Sequence, residues 1–222
     1  MAIQAAKAQT ADYIINNLLV TMGLKVDDAV NQAIAALLHT NSHVVAGVLE
    51  SSVAIQELEL TLDQAVFSAL EKGDLGASEI KRVTSAVNIS KDLSRLGKLA
   101  ANLGRKVTEV GKHQEHEDFS RLQPLAIAVS HLCRQTLRSL TRLDPVLARN
   151  AAEGGASVDA YRDYVLRGLN AQVNATDEQS LHLIFASRCL EQIADNAVHL
   201  AENLLVFLAY HREPENSHTM AS

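Results

Sequence analysis

Apolar residues recur along this chain at spacings of three and four, in long runs separated by short polar breaks, the pattern of amphipathic helices. The first run, over about Ala11–His39, carries Ile15, Leu18, Met22, Val26, Ala29, Ala33 and Leu37. Thr40-Asn41-Ser42 interrupts it and offers caps to a second helix over about His43–Lys72, where Val45, Val48, Ile55, Leu58, Leu62, Val66 and Ala69 keep the period. Gly73-Asp74-Leu75-Gly76 is the next break, and Ser78 is placed to cap a third helix over about Glu79–Lys112. Its seam, Val83, Leu93, Leu96, Ala100, Leu103, Val107 and Val110, is close to heptad. The polar, aperiodic Gly111–Asp118 reads as the boundary between two halves.

The pattern then repeats. A fourth helix, about Asp118–Leu143, carries Leu122, Leu125, Val129, Cys133, Leu137 and Leu140. Asp144-Pro145 sets an N-cap before a proline at the first helical position of a fifth helix. Gly154-Gly155 predicts a kink or break inside it, because two glycines cost a helix about 2 kcal/mol. Thr176-Asp177-Glu178-Gln179 reads as a capping box for a sixth helix running to about His211. At an offset of 103, Val26, Val30, Ile34, Leu37, Val44, Glu50 and Ile55 meet Val129, Cys133, Leu137, Leu140, Leu147, Glu153 and Val158. At an offset of 97, Leu93, Leu96, Ala100, Leu103 and Val107 meet Leu190, Ile193, Ala197, Leu200 and Leu204. The expected fold is all-α: two tandem antiparallel three-helix bundles related by internal duplication, at 1–112 and 118–211, with a disordered tail at 212–222.

One helix face carries candidate chemistry. In Leu190–Glu202, Glu191, Asp195 and Glu202 fall within about 40° of one another on a helix, opposite the seam of Leu190, Ile193, Ala197, Leu200, Leu204 and Phe207. Aligned carboxylates repel unless a cation or a basic partner neutralises them. A solvated face is the simpler account, and the earlier copy of the same helix is what argues for more.

Composition narrows the class. The chain has 222 residues, 47% hydrophobic but 4% aromatic, with three Pro and ten Gly, which favours long helices over sheets. A net charge of -6 argues against nucleic-acid binding, which draws its affinity from Lys and Arg on phosphates. Cys133 and Cys189 lack CxxC spacing and sit among apolar neighbours, so they read as buried thiols in a reducing compartment. No signal peptide and no membrane span is read, and the expectation is a soluble, cytoplasmic protein.

Two triplets whose third helices carry an L-E-R-I-(G/A)-D-x-x-x-N-(I/L)-A-E-like stretch resemble the PhoU family of phosphate-uptake regulators. The second copy reads Leu190-Glu191-Gln192-Ile193-Ala194-Asp195, then His199-Leu200-Ala201-Glu202; the first reads Asp92-Leu93-Ser94-Arg95-Leu96-Gly97-Lys98, then Asn102-Leu103-Gly104-Arg105. The resemblance implies a non-enzymatic cytosolic regulator that couples a phosphate transporter, through its ATPase subunit, to a sensor histidine kinase by protein–protein contact, and a homodimer. It also implies metal clusters, held by third-helix carboxylates with acids of the second helices, a donor set suited to Mg, Mn, Fe or Zn.

The first half departs from that pattern. Ser94, Lys98 and Arg105 stand where acids are expected, with Gln56 and Ser52 on the second helix, so the first metal site is read as lost. In the second half Glu191, Asp195 and Glu202 remain, Asp159 matches a family acid with Gly155 one turn earlier, and His199 replaces the usual Asn; these five are the candidate ligands. The Lys98/Arg105 stripe, with Arg95 and Lys91 beside it, reads as a solvated face, a dimer contact to the acidic stripe of another copy, or an anion site. His113-x-x-His116 with Glu115, Glu117 and Asp118 has ligand spacing within a linker.

A carboxylate-metal enzyme of di-iron type is the rival reading, but it needs Glu-x-x-His pairs aimed into a bundle core, and residue 194 is Ala. Nucleophile triads and a GxxxxGK[ST] loop are absent from the sequence. An adaptor or metal-binding helical protein unrelated to phosphate is the remaining alternative.

Overall fold

The computed structural model describes residues 2–39, 42–71, 73, 75–113, 119–170 and 178–212. Helices α1 (Ala2–His39), α2 (Val45–Glu71) and α3 (Ala77–His113) make the first triplet. In the second, α4 (Gln123–Arg142) is followed by α5 (Pro145–Glu153), α6 (Gly155–Asn170) and α7 (Glu178–Arg212). The expected fifth helix is therefore two, broken where Gly154 caps the end of α5. Among the described residues every regular element is α-helix or a single 3-10 turn, the latter at Ser42–Val44 and Ser120–Leu122.

The ends show why each helix starts where it does. Asp144 caps α5 as expected, its side chain accepting from the amides of Val146 at 2.9 Å and Leu147 at 3.3 Å. Ser78 does not cap α3: the helix begins two residues earlier than expected, at Ala77, and Glu79 Oε2 accepts from the Gly76 amide at 2.7 Å. The third-position acid thus does the work assigned to the serine. Helix α1 also starts earlier than its periodicity indicates, and α4 starts later, after the turn at Ser120–Leu122. Thr40-Asn41, the linker acids Glu115, Glu117 and Asp118 with His116, Thr176-Asp177 and the tail beyond Arg212 lie outside the described residues.

Burial follows the duplication. Val26 and Val129, Val30 and Cys133, Ile34 and Leu137, Leu37 and Leu140, and Ile55 and Val158 are all buried, while Glu50 and Glu153 are both exposed. The two triplets share one continuous core rather than owning one each. Helices α3 and α7 run antiparallel down its centre: Lys81 stands over the Tyr210 ring, Asp92 meets His199, and Lys106 stands over Phe185. Helix α4 ties to α7 through Thr136 Oγ1, which donates to the Ala197 carbonyl at 3.2 Å. It also ties to α1, where Asn31 Oδ1 accepts from Ser130 Oγ at 2.8 Å and from Arg134 Nη2 at 3.2 Å. Within the first triplet α2 and α3 approach closely because Gly97 has no side chain; a Cβ there would stand 2.9 Å from Ile55 Cδ1.

Both cysteines are free and buried, as their apolar neighbours indicate. Burial, with the Asp27 charge adding to it, pushes the Cys133 thiol up to about 12, and burial pushes Cys189 up to about 11 against a lowering by Lys106. Both are thiols at neutral pH. No described helix is long and apolar enough to cross a membrane.

Candidate functional site

The acidic stripe of α7 faces out from the core, as its phase predicts: Asp195 and Glu202 are exposed and Glu191 is half-buried. The structure brings three of the five candidate residues together. Glu191 and Asp195 on α7 face Asp159 across to α6, and between the two helices lies Arg162, which sequence reasoning did not single out. Its Nη1 donates to Glu191 Oε1 at 2.8 Å and lies 3.2 Å from Asp159 Oδ1. Its Nε and Nη2 reach Asp163 Oδ1 at 3.2 and 3.1 Å. Asp163, then Glu191, hold this guanidinium above its ordinary range by hydrogen bonding. The signal in the sequence is an Arg one helical turn after Asp159, a spacing that puts both on one face.

Asp195 completes the cluster. Partial desolvation, then the charges of Glu191 and Asp159, raise it above the usual carboxylate range, while Arg162 and Arg95 pull it back. Arg95 belongs to α3, so the charge of one cation of the first triplet is felt at the acidic stripe of the second. A carboxyl raised in the folded state binds its proton more tightly there than in the unfolded chain. Ionised Asp195 is therefore a cost, fully present above its folded value and gone below the unfolded value near pH 4. Asp195→Asn is expected to raise the stability at pH 7, read from the urea midpoint, by no more than about 1 kcal/mol at this exposure, and to make no difference well below pH 4. A variant less stable than the parent at pH 7 would show that the two arginines outweigh the repulsion.

Glu202 and His199 do not join this group. Glu202 lies two turns beyond Asp195, about 10 Å along the helix. His199 turns instead toward α3, its Nδ1 3.1 Å from Asp92 Oδ1, and Asn203 Nδ2 donates to Asp92 Oδ2 at 2.6 Å. Asn196 Nδ2 donates to the Asp92 carbonyl at 3.0 Å. Asp92 is thus the hub of a polar lock between the triplets, its side chain 10% exposed against 60% for His199. It, too, had a signal in the sequence. At the offset relating the third helices Asp92 falls on Cys189, a core-facing position, where an acid needs a dedicated partner.

Among the described residues no group of three His, Cys, Asp or Glu side chains is gathered closely enough to hold an ion. Gly155, at the place of the missing second-helix acid, packs so near α7 that a Cβ would stand 3.1 Å from Val198 Cγ2, leaving no room for a carboxylate side chain in that direction. In the first triplet Ser94 is buried and Lys98 and Arg105 are exposed cations. The outward orientation of the acids also opposes the di-iron enzyme, whose ligands project into the bundle.

Comparison with known proteins agrees with the duplication. The PhoU domain family model matches twice, over residues 19–107 and 125–204. The phosphate-specific transport system accessory protein PhoU homolog of Pseudomonas aeruginosa is 26% identical over 194 residues, covering 86% of this chain and 80% of the relative. The homolog of Zymomonas mobilis is 24% identical over 203 residues, 90% of this chain and 86% of the relative. The crystal structure of PhoU from Pseudomonas aeruginosa shares the fold with a TM-score of 0.82 at 24% identity, over 90% of this chain and 98% of that one. The phosphate transport system regulatory protein PhoU from Streptococcus pneumoniae gives a TM-score of 0.73 at 17% identity, over 93% and 96%.

Proposed function

The chain belongs to the PhoU family, and on that premise we propose that it is an accessory protein of a phosphate transport system that limits uptake and starvation signalling by contact with the transporter's ATPase subunit and a sensor histidine kinase. It works in the cytoplasm, without catalysis. The observation that carries a contact role is the outer face of α2. Val53, Leu60 and Phe67 recur there at heptad spacing and are 56%, 64% and 63% exposed. Large apolar side chains kept in a row in water mark a surface that is covered by a partner. Glu50, Glu57 and Glu71 interleave with them, and α2 carries five carboxylates and no Lys or Arg along its length. The face therefore suits an apolar partner segment flanked by Lys and Arg.

This surface is not a by-product of the repeat. At the offset of 103 its positions fall on Ala156, Asp163 and Asn170, none of them large and apolar. The test is affinity capture with the full chain and with a Leu60→Asp/Phe67→Asp variant, read by mass spectrometry for transporter ATPase and sensor kinase, beside phosphate uptake in a deletion strain. Exposed substitutions leave the fold's melting curve nearly unchanged, so the variant is expected to stay folded, lose capture and fail to restore normal uptake. A strain with unaltered uptake, and capture that recovers neither component, would overturn the proposal.

A further inference from the structure

We propose that Arg162 is the resident cation of the second triplet, holding by its own side chain the carboxylates that the family resemblance assigns to a metal. The guanidinium is a planar fork of five N–H donors suited to several carboxylates at once. Here it contacts three: Glu191 at 2.8 Å, Asp163 at 3.1 Å and Asp159 at 3.2 Å. A hard divalent ion binds carboxylate oxygens at about 2.0–2.6 Å, so an ion bridging Glu191 and Asp159 would need the volume that Nη1 fills. An ion beside the guanidinium would also meet its charge at short range. Either way the arginine must leave before a metal can enter.

The first triplet supports this independently. At the offsets that relate the repeats, Lys98 stands at the place of Asp195 and Glu59 at the place of Arg162, with Ser94 for Glu191 and Gln56 for Asp159. At this pair of positions the first triplet has a base on its third helix and an acid on its second, and the second triplet has the reverse, so each places one cation opposite an acid of the neighbouring helix.

The inference rests on family membership and local geometry, and stands or falls separately from the regulatory role. Full-length protein is purified without chelator, analysed for Fe, Mn and Zn, and titrated with Mn2+ by electron paramagnetic resonance. The parent is expected to carry no stoichiometric metal and to bind no Mn2+ saturably. Arg162→Met keeps the aliphatic stem and removes the charge; it is expected to bind Mn2+ at least about tenfold more tightly than the parent, since affinity follows the net ligand charge. Adding Glu191→Gln to that variant is expected to abolish the gain. Stoichiometric metal in the parent that Glu191→Gln releases would overturn the proposal, and so would an Arg162→Met protein with no gain. Should Arg162→Met fail to fold, the parent's metal content and Mn2+ titration decide alone.

Discussion

Leu140→Ala is expected to lower the unfolding free energy by about 3–5 kcal/mol, the upper range for a truncated core leucine. Leu140 is 1% exposed at the end of α4 and packs against α1 of the other triplet. Its contact there is Gly23, where a Cβ would stand 3.1 Å from Leu140 Cδ2. A glycine has no side chain to move into the cavity, so the site relaxes poorly and most of the penalty stays. The loss is a large share of a typical stability of about 5–15 kcal/mol. Because one core runs through both triplets, the variant should still unfold in a single transition, with a lower urea midpoint and an unchanged m-value. Two separated transitions by circular dichroism would show that the triplets are independent domains.

The second large effect belongs to Asp92. Asp92→Ala removes the acceptor of Asn203 and the partner of His199 at the α3–α7 seam. The expected cost is about 2–3 kcal/mol, the range for losing a buried charged acceptor and leaving its donors behind. Its two halves are unequal. His199 is mostly exposed and water can replace its bond, so His199→Ala should cost less than about 1 kcal/mol. A double-mutant cycle between Asp92 and Asn203, read from urea midpoints, should give a coupling of about 1 kcal/mol or more. Additive effects of the two substitutions would remove the lock.

Much of the fold was legible because a buried stripe is written locally. The seam residues of α7, from Leu190 to Phe207, are all buried, and the paired positions of the two repeats share their burial. Helix boundaries were less legible where a cap could come from more than one neighbour. Glu79 reaching back to Gly76 is such a case, since Ser78 has the same capping chemistry one position away. Of the candidate site, the outward row of Glu191, Asp195 and Glu202 was readable from helical phase, and so was the sign change in the first triplet. The neutralising partner was not. Arg162 reaches Glu191 across 29 residues of chain, and Asp92 reaches His199 across 107.

The chain by itself determined which stripe of each long helix is buried, that one half copies the other, and where the charges lie along each face. All of these follow from spacings within a few turns, where a period of about 3.6 residues ties neighbours in sequence to neighbours in space. Only the tertiary structure decided which charges meet. The rotation and axial shift of α6 and α3 against α7 bring Arg162 to Glu191 and Asp92 to His199. Those two quantities come from the packing of apolar faces around a shared core, which no local period records.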